Sequence, residues 1–244
     1  MSLEHVPLAA RAAYALSAPT YDAENAVTIL EDRAVRSITP PLQGARLLDA
    51  ACGTGRRLPH PGTRGPHTVV GIDLVYDMIA RARDRGAETA ARYTRRAQRT
   101  RQGAAVLSVA DLRALPCRDE SFDIVWCRLV LGHVRDIAPA YQELARVARR
   151  GAHVIISDFH PAAAHAGHVR TLHDEALQRL VVEHHIHEPE VHEHAARAAG
   201  FTLGSRIDCA VGPAVRRFYN DRGRLAAYEQ QRGLPLVLVL GFRA

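Results

Sequence analysis

Leu47-Leu48-Asp49-Ala50-Ala51-Cys52-Gly53-Thr54-Gly55-Arg56 is the stretch on which the reading of this chain turns. A short apolar run ends in an acid, and two glycines one residue apart follow. That is a buried strand running into a tight loop, where Gly53 and Gly55 allow the turn and let backbone amides approach a ligand closely. A nicotinamide-binding loop would carry a third glycine at position 58, which is Leu, so that pattern fails. Outward from this loop, β-branched or apolar runs at Arg46–Asp49, Thr68–Asp73, 105–109, 122–127 and 153–158 alternate with helical patterns at 76–85 and 138–149. Such alternation predicts an α/β fold with a mostly parallel sheet covered on both faces. Two late runs, 201–209 and 236–242, are expected to add antiparallel at the sheet edge. Ligands of such sheets bind beyond the carboxyl ends of the strands, where the glycine loop stands.

Later segments repeat the same placement. Val69-Val70-Gly71-Ile72-Asp73 ends in an acid 18 residues after Gly55, and a carboxylate there can accept both hydroxyls of a ribose. Ala110-Asp111-Leu112-Arg113-Ala114-Leu115-Pro116, Ser121-Phe122-Asp123-Ile124-Val125-Trp126-Cys127 and Arg146-Val147-Ala148-Arg149-Arg150-Gly151 follow in order. Together these resemble the successive motifs of class I S-adenosylmethionine (SAM)-dependent methyltransferases. Their first motif reads Asp/Glu-x-Gly-x-Gly-x-Gly, with Ala51 here in place of the first glycine. The resemblance implies a Rossmann-like seven-stranded sheet and SAM as cofactor. It implies a cofactor loop of Asp49, Ala51, Cys52, Gly53 and Gly55, ribose on Asp73, adenine flanked by Leu74 and Met78 and reached by Asp111 and Leu112, and Cys127 on the fourth strand beside the site. It also implies that the ring of Tyr21, in Tyr21-Asp22, covers the cofactor near its sulfonium. Pro59, Pro61, Gly62, Gly65 and Pro66 fall where the family places a three-turn helix, so that helix is expected to be short or frayed.

The chain reads as one domain. Residues 1–41 form a helical cap (helical patterns at 9–16 and 24–38, stopped by Pro40-Pro41), 42–159 the SAM-binding core, 160–190 a helical lid insertion rich in His and Ala, and 191–244 a helix at 190–199 with the edge strands. Ten of the fourteen histidines lie between His153 and His194, which makes them candidates for proton transfer near neutrality. His133, after Leu129-Val130-Leu131-Gly132, is expected to line the pocket, and His160 and His168 to face it as candidate bases. Tyr14 and His165 join them as candidate acceptor contacts. His165/His168 and the His184, His185, His187 cluster raise a metal, but no Cys or His-Glu-x-x-His accompanies them, so none is expected. If a histidine serves as base, activity should fall on acidification through about pH 6.5.

With 47% apolar and 24% charged residues, the 244-residue chain has material for a core. No apolar run approaches a membrane span and no signal peptide is evident. Cys52, Cys117, Cys127 and Cys209 form no Cys-x-x-Cys pair and read as reduced thiols of a cytoplasmic protein. The net charge of +6 resides in residues 81–101, with eight arginines against Asp84 and Glu88; the remainder is neutral, and no lysine occurs. Only Tyr93 is interleaved in that run, whereas a nucleic-acid groove would use several aromatics. The resulting expectation is a small-molecule methyltransferase of the quinone-pathway or natural-product type, its acceptor aromatic or indole-like and methylated on C, N or O. The alternatives are an RNA methyltransferase using residues 81–101, or a SAM-fold cyclase or binding protein without methyl transfer. Oligomeric state is not encoded in any motif.

Overall fold

A computed structural model describes residues 7–62, 64–94, 105–221 and 223–244, without the side chains of 89–94. The chain runs α1 (Ala10–Ser17), α2 (Ala26–Ile38), β1 (Arg46–Asp49), β2 (Thr68–Asp73), α3 (Tyr76–Thr94), β3 (Val106–Val109), β4 (Phe122–Arg128), α4 (Ala138–Val147), β5 (Ala148–Phe159) and α5 (Pro161–His165). It continues through β6 (Thr171–His173), β7 (Arg179–Val181), α6 (Pro189–Ala198), β8 (Thr202–Ala210), α7 (Arg217–Asn220), α8 (Leu225–Gln231) and β9 (Pro235–Arg243). Arg95, Arg96, Arg99 and Arg101 of the basic run lie outside the described residues, as do the side chains of Arg92 and Tyr93.

Leu47 and Leu48 are both fully buried because the sheet is covered on both sides. Leu47, Ile124, Ile155, Val237 and Val239 pack towards α2 and the C-terminal helices. Leu48, Val125, Val154, Ile156, Leu238 and Leu240 pack towards α4 and α6, around Tyr141 and Phe201. Each such side chain contributes about 1.5–3 kcal/mol on burial. The seven strands are ordered β3-β2-β1-β4-β5-β9-β8. β1 to β5 are parallel, and β9 lies antiparallel between β5 and β8. The order reverses between β1 and β4, and this switch point fixes the site. The late runs thus join the sheet antiparallel to their neighbours, the last strand inserting inside the earlier one.

Of the two cap helices, α2 has a side-chain cap and α1 has none. Asn25 starts α2 through a reciprocal capping box with Thr28, at 3.0 Å in both directions. Where a short or frayed helix is expected after the glycine loop, the described residues form none: Gly55 N–H and Leu58 N–H close successive turns on Cys52 O and Gly55 O before the prolines. Residues 160–190 depart from the expected helical lid. Before α6 begins at Pro189, only α5 is helical, ended by Gly167 at φ +85° with His168 N–H returning to Ala163 O. The rest is the β6–β7 hairpin, favoured by Thr171, Leu180 and Val181 and turned by Asp174 Oδ1, which accepts from Gln178 N–H at 2.8 Å. Leu8 extends the hairpin: its N–H donates to Val181 O and its carbonyl accepts from Glu183 N–H. Among the described residues no helix is long and apolar enough to cross a membrane.

Candidate active site

A cavity of about 200 Å³ opens at the carboxyl ends of β1, β2 and β4, and Tyr14, Tyr21, Ala51, Gly53, Asp73, Leu74, Asp111, Leu112 and His133 line it. Gly53 takes φ +55°, and a β-carbon there would stand 3.3 Å from Tyr21 Cε1, so the glycine lets the cap ring close onto the loop. Asp73 accepts from Gly53 N–H at Oδ2 (2.8 Å) and from Val75 N–H at Oδ1 (2.9 Å). This clamps the carboxylate across the two loops and leaves a lone pair on each oxygen for a diol. Burial raises its pKa above the usual carboxylate range. Asp111 accepts a fork from Arg113 (3.0 Å from Nε, 2.6 Å from Nη2), which holds its pKa down. Leu74 is exposed at the rim.

Asp49 lies beneath this surface. It is buried, its Oδ1 has no hydrogen-bond partner among the described residues, and burial pushes its carboxyl up to about 7 although Arg128 pulls it down. An orphaned buried carboxylate oxygen suits a cationic ligand group, and the amino and sulfonium charges of SAM are of that kind. Gly55, Cys52, Met78 and Cys127 support the site from behind without lining it. Gly55 takes φ +68° against Ala82, Cys52 Sγ fills the space opposite Gly71, Met78 packs beneath Tyr14 and Tyr21, and Cys127 is fully buried in the core. Burial raises the pKa of both thiols.

On the far side of the cavity, Tyr14 and His133 form one unit. His133 Nδ1 donates to Glu183 O (3.1 Å), so Nε2 accepts from the Tyr14 hydroxyl (2.9 Å), which itself accepts from Arg170 Nη2 (3.0 Å). Burial, and then Arg170, depress His133 to about 3, so the ring stays neutral through the physiological range. Its edge meets His184, whose Nδ1 is buried without a partner among the described residues and which burial lowers to about 4. Gly132 makes room: a β-carbon there would collide with the His184 ring.

Three predicted histidines stand away from the cavity lining. His160 caps α5, Nδ1 accepting from Ala162 N–H (3.1 Å) and Nε2 facing Asp208 Oδ1 at 3.3 Å on the edge strand. His165 is exposed beside Glu188 (3.7 Å), and His168 follows Gly167 with its pKa lowered by burial. Asp158 faces His192 Nε2 at 3.5 Å, while His192 Nδ1 accepts from Tyr141. The predicted positions of His160, His165 and His168 followed from chain order, but the hairpin carries this segment past the cavity and α5 consumes His160 as its cap. Among the described residues no three of His, Cys, Asp or Glu are placed to share a metal ion. Arg170 and the Glu31–Arg128 pair carried no local sequence signal, since each is defined by a partner many residues away, and the sequence marks the cluster holding His184 as a metal candidate.

A methyltransferase domain family model matches residues 48–156. A 27-O-demethylrifamycin SV methyltransferase of Amycolatopsis mediterranei is 32% identical over 136 residues, 56% of this chain and 46% of that protein. A demethylmenaquinone methyltransferase of a Roseiflexus species is 35% identical over 144 residues, 56% of this chain and 54% of that protein. This chain therefore spans about half the length of the curated relatives it matches. The structure of a SAM-dependent methyltransferase from Mesorhizobium loti superposes with a TM-score of 0.64 at 23% identity, covering 88% of this chain and 98% of that one. Residues 48–156 thus match a methyltransferase domain, and the strand order and glycine loop stand in a fold shared with a SAM-dependent methyltransferase.

Proposed function

We propose that the protein transfers the methyl group of SAM to a small-molecule acceptor held between the cap and the β6–β7 hairpin. The observation that carries this reading is the single cavity wall on which Asp73, Asp111 and Gly53 meet Tyr14, Tyr21 and His133. Asp73 would hold the ribose, Leu74 and Leu112 the adenine faces with Asp111 at its edge, and Asp49 the cationic end. SAM supplies a methyl group already activated by a sulfonium leaving group, so the protein's task is alignment. Tyr21 closes over the loop, and the rigid Tyr14–His133 pair, fixed at both ring nitrogens, forms the acceptor wall. His133 serves here as a neutral positioning group. Two relatives are named for small-molecule acceptors, a demethylrifamycin and a demethylmenaquinone, and they support a small acceptor with an electron-rich ring, as in secondary metabolism.

The test is incubation with SAM and a panel of phenols, indoles, quinols and aryl acids, followed by detection of S-adenosylhomocysteine and the methylated product. Formation of both with at least one acceptor supports the reading. SAM binding with no turnover across the panel supports instead a protein that holds SAM without transferring its methyl.

A further inference from the structure

Behind Tyr14 stands a cation that no carboxylate among the described residues pairs. Arg170, between α5 and β6, is half-buried, donates to the Tyr14 hydroxyl, and makes no ion pair among the described residues. The contrast with Arg128 is direct: that guanidinium, equally inward, forks onto Glu31 (2.7 and 2.6 Å) and reaches Asp32 (3.2 Å). Asp158 lies within electrostatic reach of Arg170, but it already accepts from Phe159 N–H (2.8 Å) and faces His192. Among the described residues, the neighbouring rings supply no negative charge. Tyr21 is held in its neutral form by burial, and His133 and His184 are neutral rings. An inward cation without a counter-ion is costly, and an entering anion relieves that cost. The unpartnered, buried His184 Nδ1 in the same cluster is a second polar group without a protein partner.

We propose that Arg170, with His184 beside it, recognises an oxyanion on the methyl acceptor, so that the substrate class is a small molecule bearing a carboxylate or an ionised phenol or enol. This rests on the acceptor site assigned above. It also accounts for a pocket whose one cavity-lining histidine has both nitrogens committed: an acceptor that arrives ionised needs no general base.

The experiment uses two probe pairs, each an anion with its neutral analogue: indole-3-acetate with indole-3-acetamide, and 4-nitrophenolate with 4-nitroanisole. Each is titrated calorimetrically into the protein saturated with S-adenosylhomocysteine, at a pH where the phenol is ionised. At least one anion should bind about tenfold to a hundredfold more tightly than its neutral partner, and the pair that shows the preference tells carboxylate from phenolate. Arg170→Gln should erase that preference. Tyr14→Phe, which removes the hydroxyl but leaves the charge, should keep it, and Arg170→Lys should keep part of it. Equal or absent binding of both members of both pairs in the wild type overturns the proposal, as does a preference that survives Arg170→Gln. Failure of S-adenosylhomocysteine to bind the wild type would overturn the methyltransferase site itself. Its binding without any anion preference overturns only the role of Arg170.

Discussion

Asp49 Oδ1, buried and unpartnered, links cofactor affinity to pH. In the free protein its carboxyl titrates at about 7, so below that pH a cationic ligand that needs the charged form must displace a proton. Affinity for SAM should therefore rise with pH through about 7 and level off above it. Asp49→Asn should bind more weakly and lose that dependence, and calorimetry across the range checks both. His133 behaves in the opposite sense. Its pKa is depressed to about 3, so it gains no proton near pH 6.5, and the acid limb expected of an unperturbed histidine base should be absent. Turnover of wild type and His133→Ala against pH is the measurement: a wild-type limb near 6.5 that the variant lacks would restore His133 as a base. His160→Ala should instead lower the melting temperature, through loss of a helix cap worth about 1 kcal/mol.

The helix α2 does more than cover the sheet. Its Glu31, 4% exposed in the side chain, receives the Arg128 fork and also accepts from Ser157 Oγ at 2.9 Å, tying the cap to the ends of β4 and β5. Removing Glu31 takes the fork from the buried Arg128 guanidinium and leaves it one longer ion pair, to Asp32, among the described residues, so Glu31→Ala should cost up to about 3–5 kcal/mol in denaturant unfolding. Arg36→Ala, which breaks an exposed i,i+4 pair with Asp32, should cost less than about 1 kcal/mol. Equal losses would contradict this account of α2. These elements also show what was legible in the sequence. Periodicity and prolines located α2 and the sheet strands, and warned of a short or frayed helix after Gly55, because those depend on local chemistry. The β6–β7 hairpin was read as helix because its His- and Ala-rich flanks masked two three-residue strands. Glu31–Arg128 spans 97 residues and leaves no local mark.

Across the molecule, cap and hairpin close on the site as one body. Leu8 pairs with Val182, Thr20 Oγ1 donates to His173 O at 2.7 Å, and Tyr14 joins Arg170. That Gly53, Asp73 and Asp111 would line one cavity was legible because glycines and acids recur at strand ends in fixed order. Tyr14 and His133 were also legible as pocket residues, but their mutual hydrogen bond and the Arg170 contact were not, because they join segments more than a hundred residues apart. Everything proposed for the acceptor side of the site depends on SAM occupying the cofactor side. The direct test is titration of SAM into wild type and Asp73→Ala, with circular dichroism confirming that the variant is folded. Charge-assisted hydrogen bonds to a ribose are worth about 1.5–3 kcal/mol. The wild type should bind a single equivalent, and Asp73→Ala should bind about tenfold to a hundredfold more weakly. No binding by the wild type, or equal affinity in the two, would contradict the assignment of this cavity to SAM.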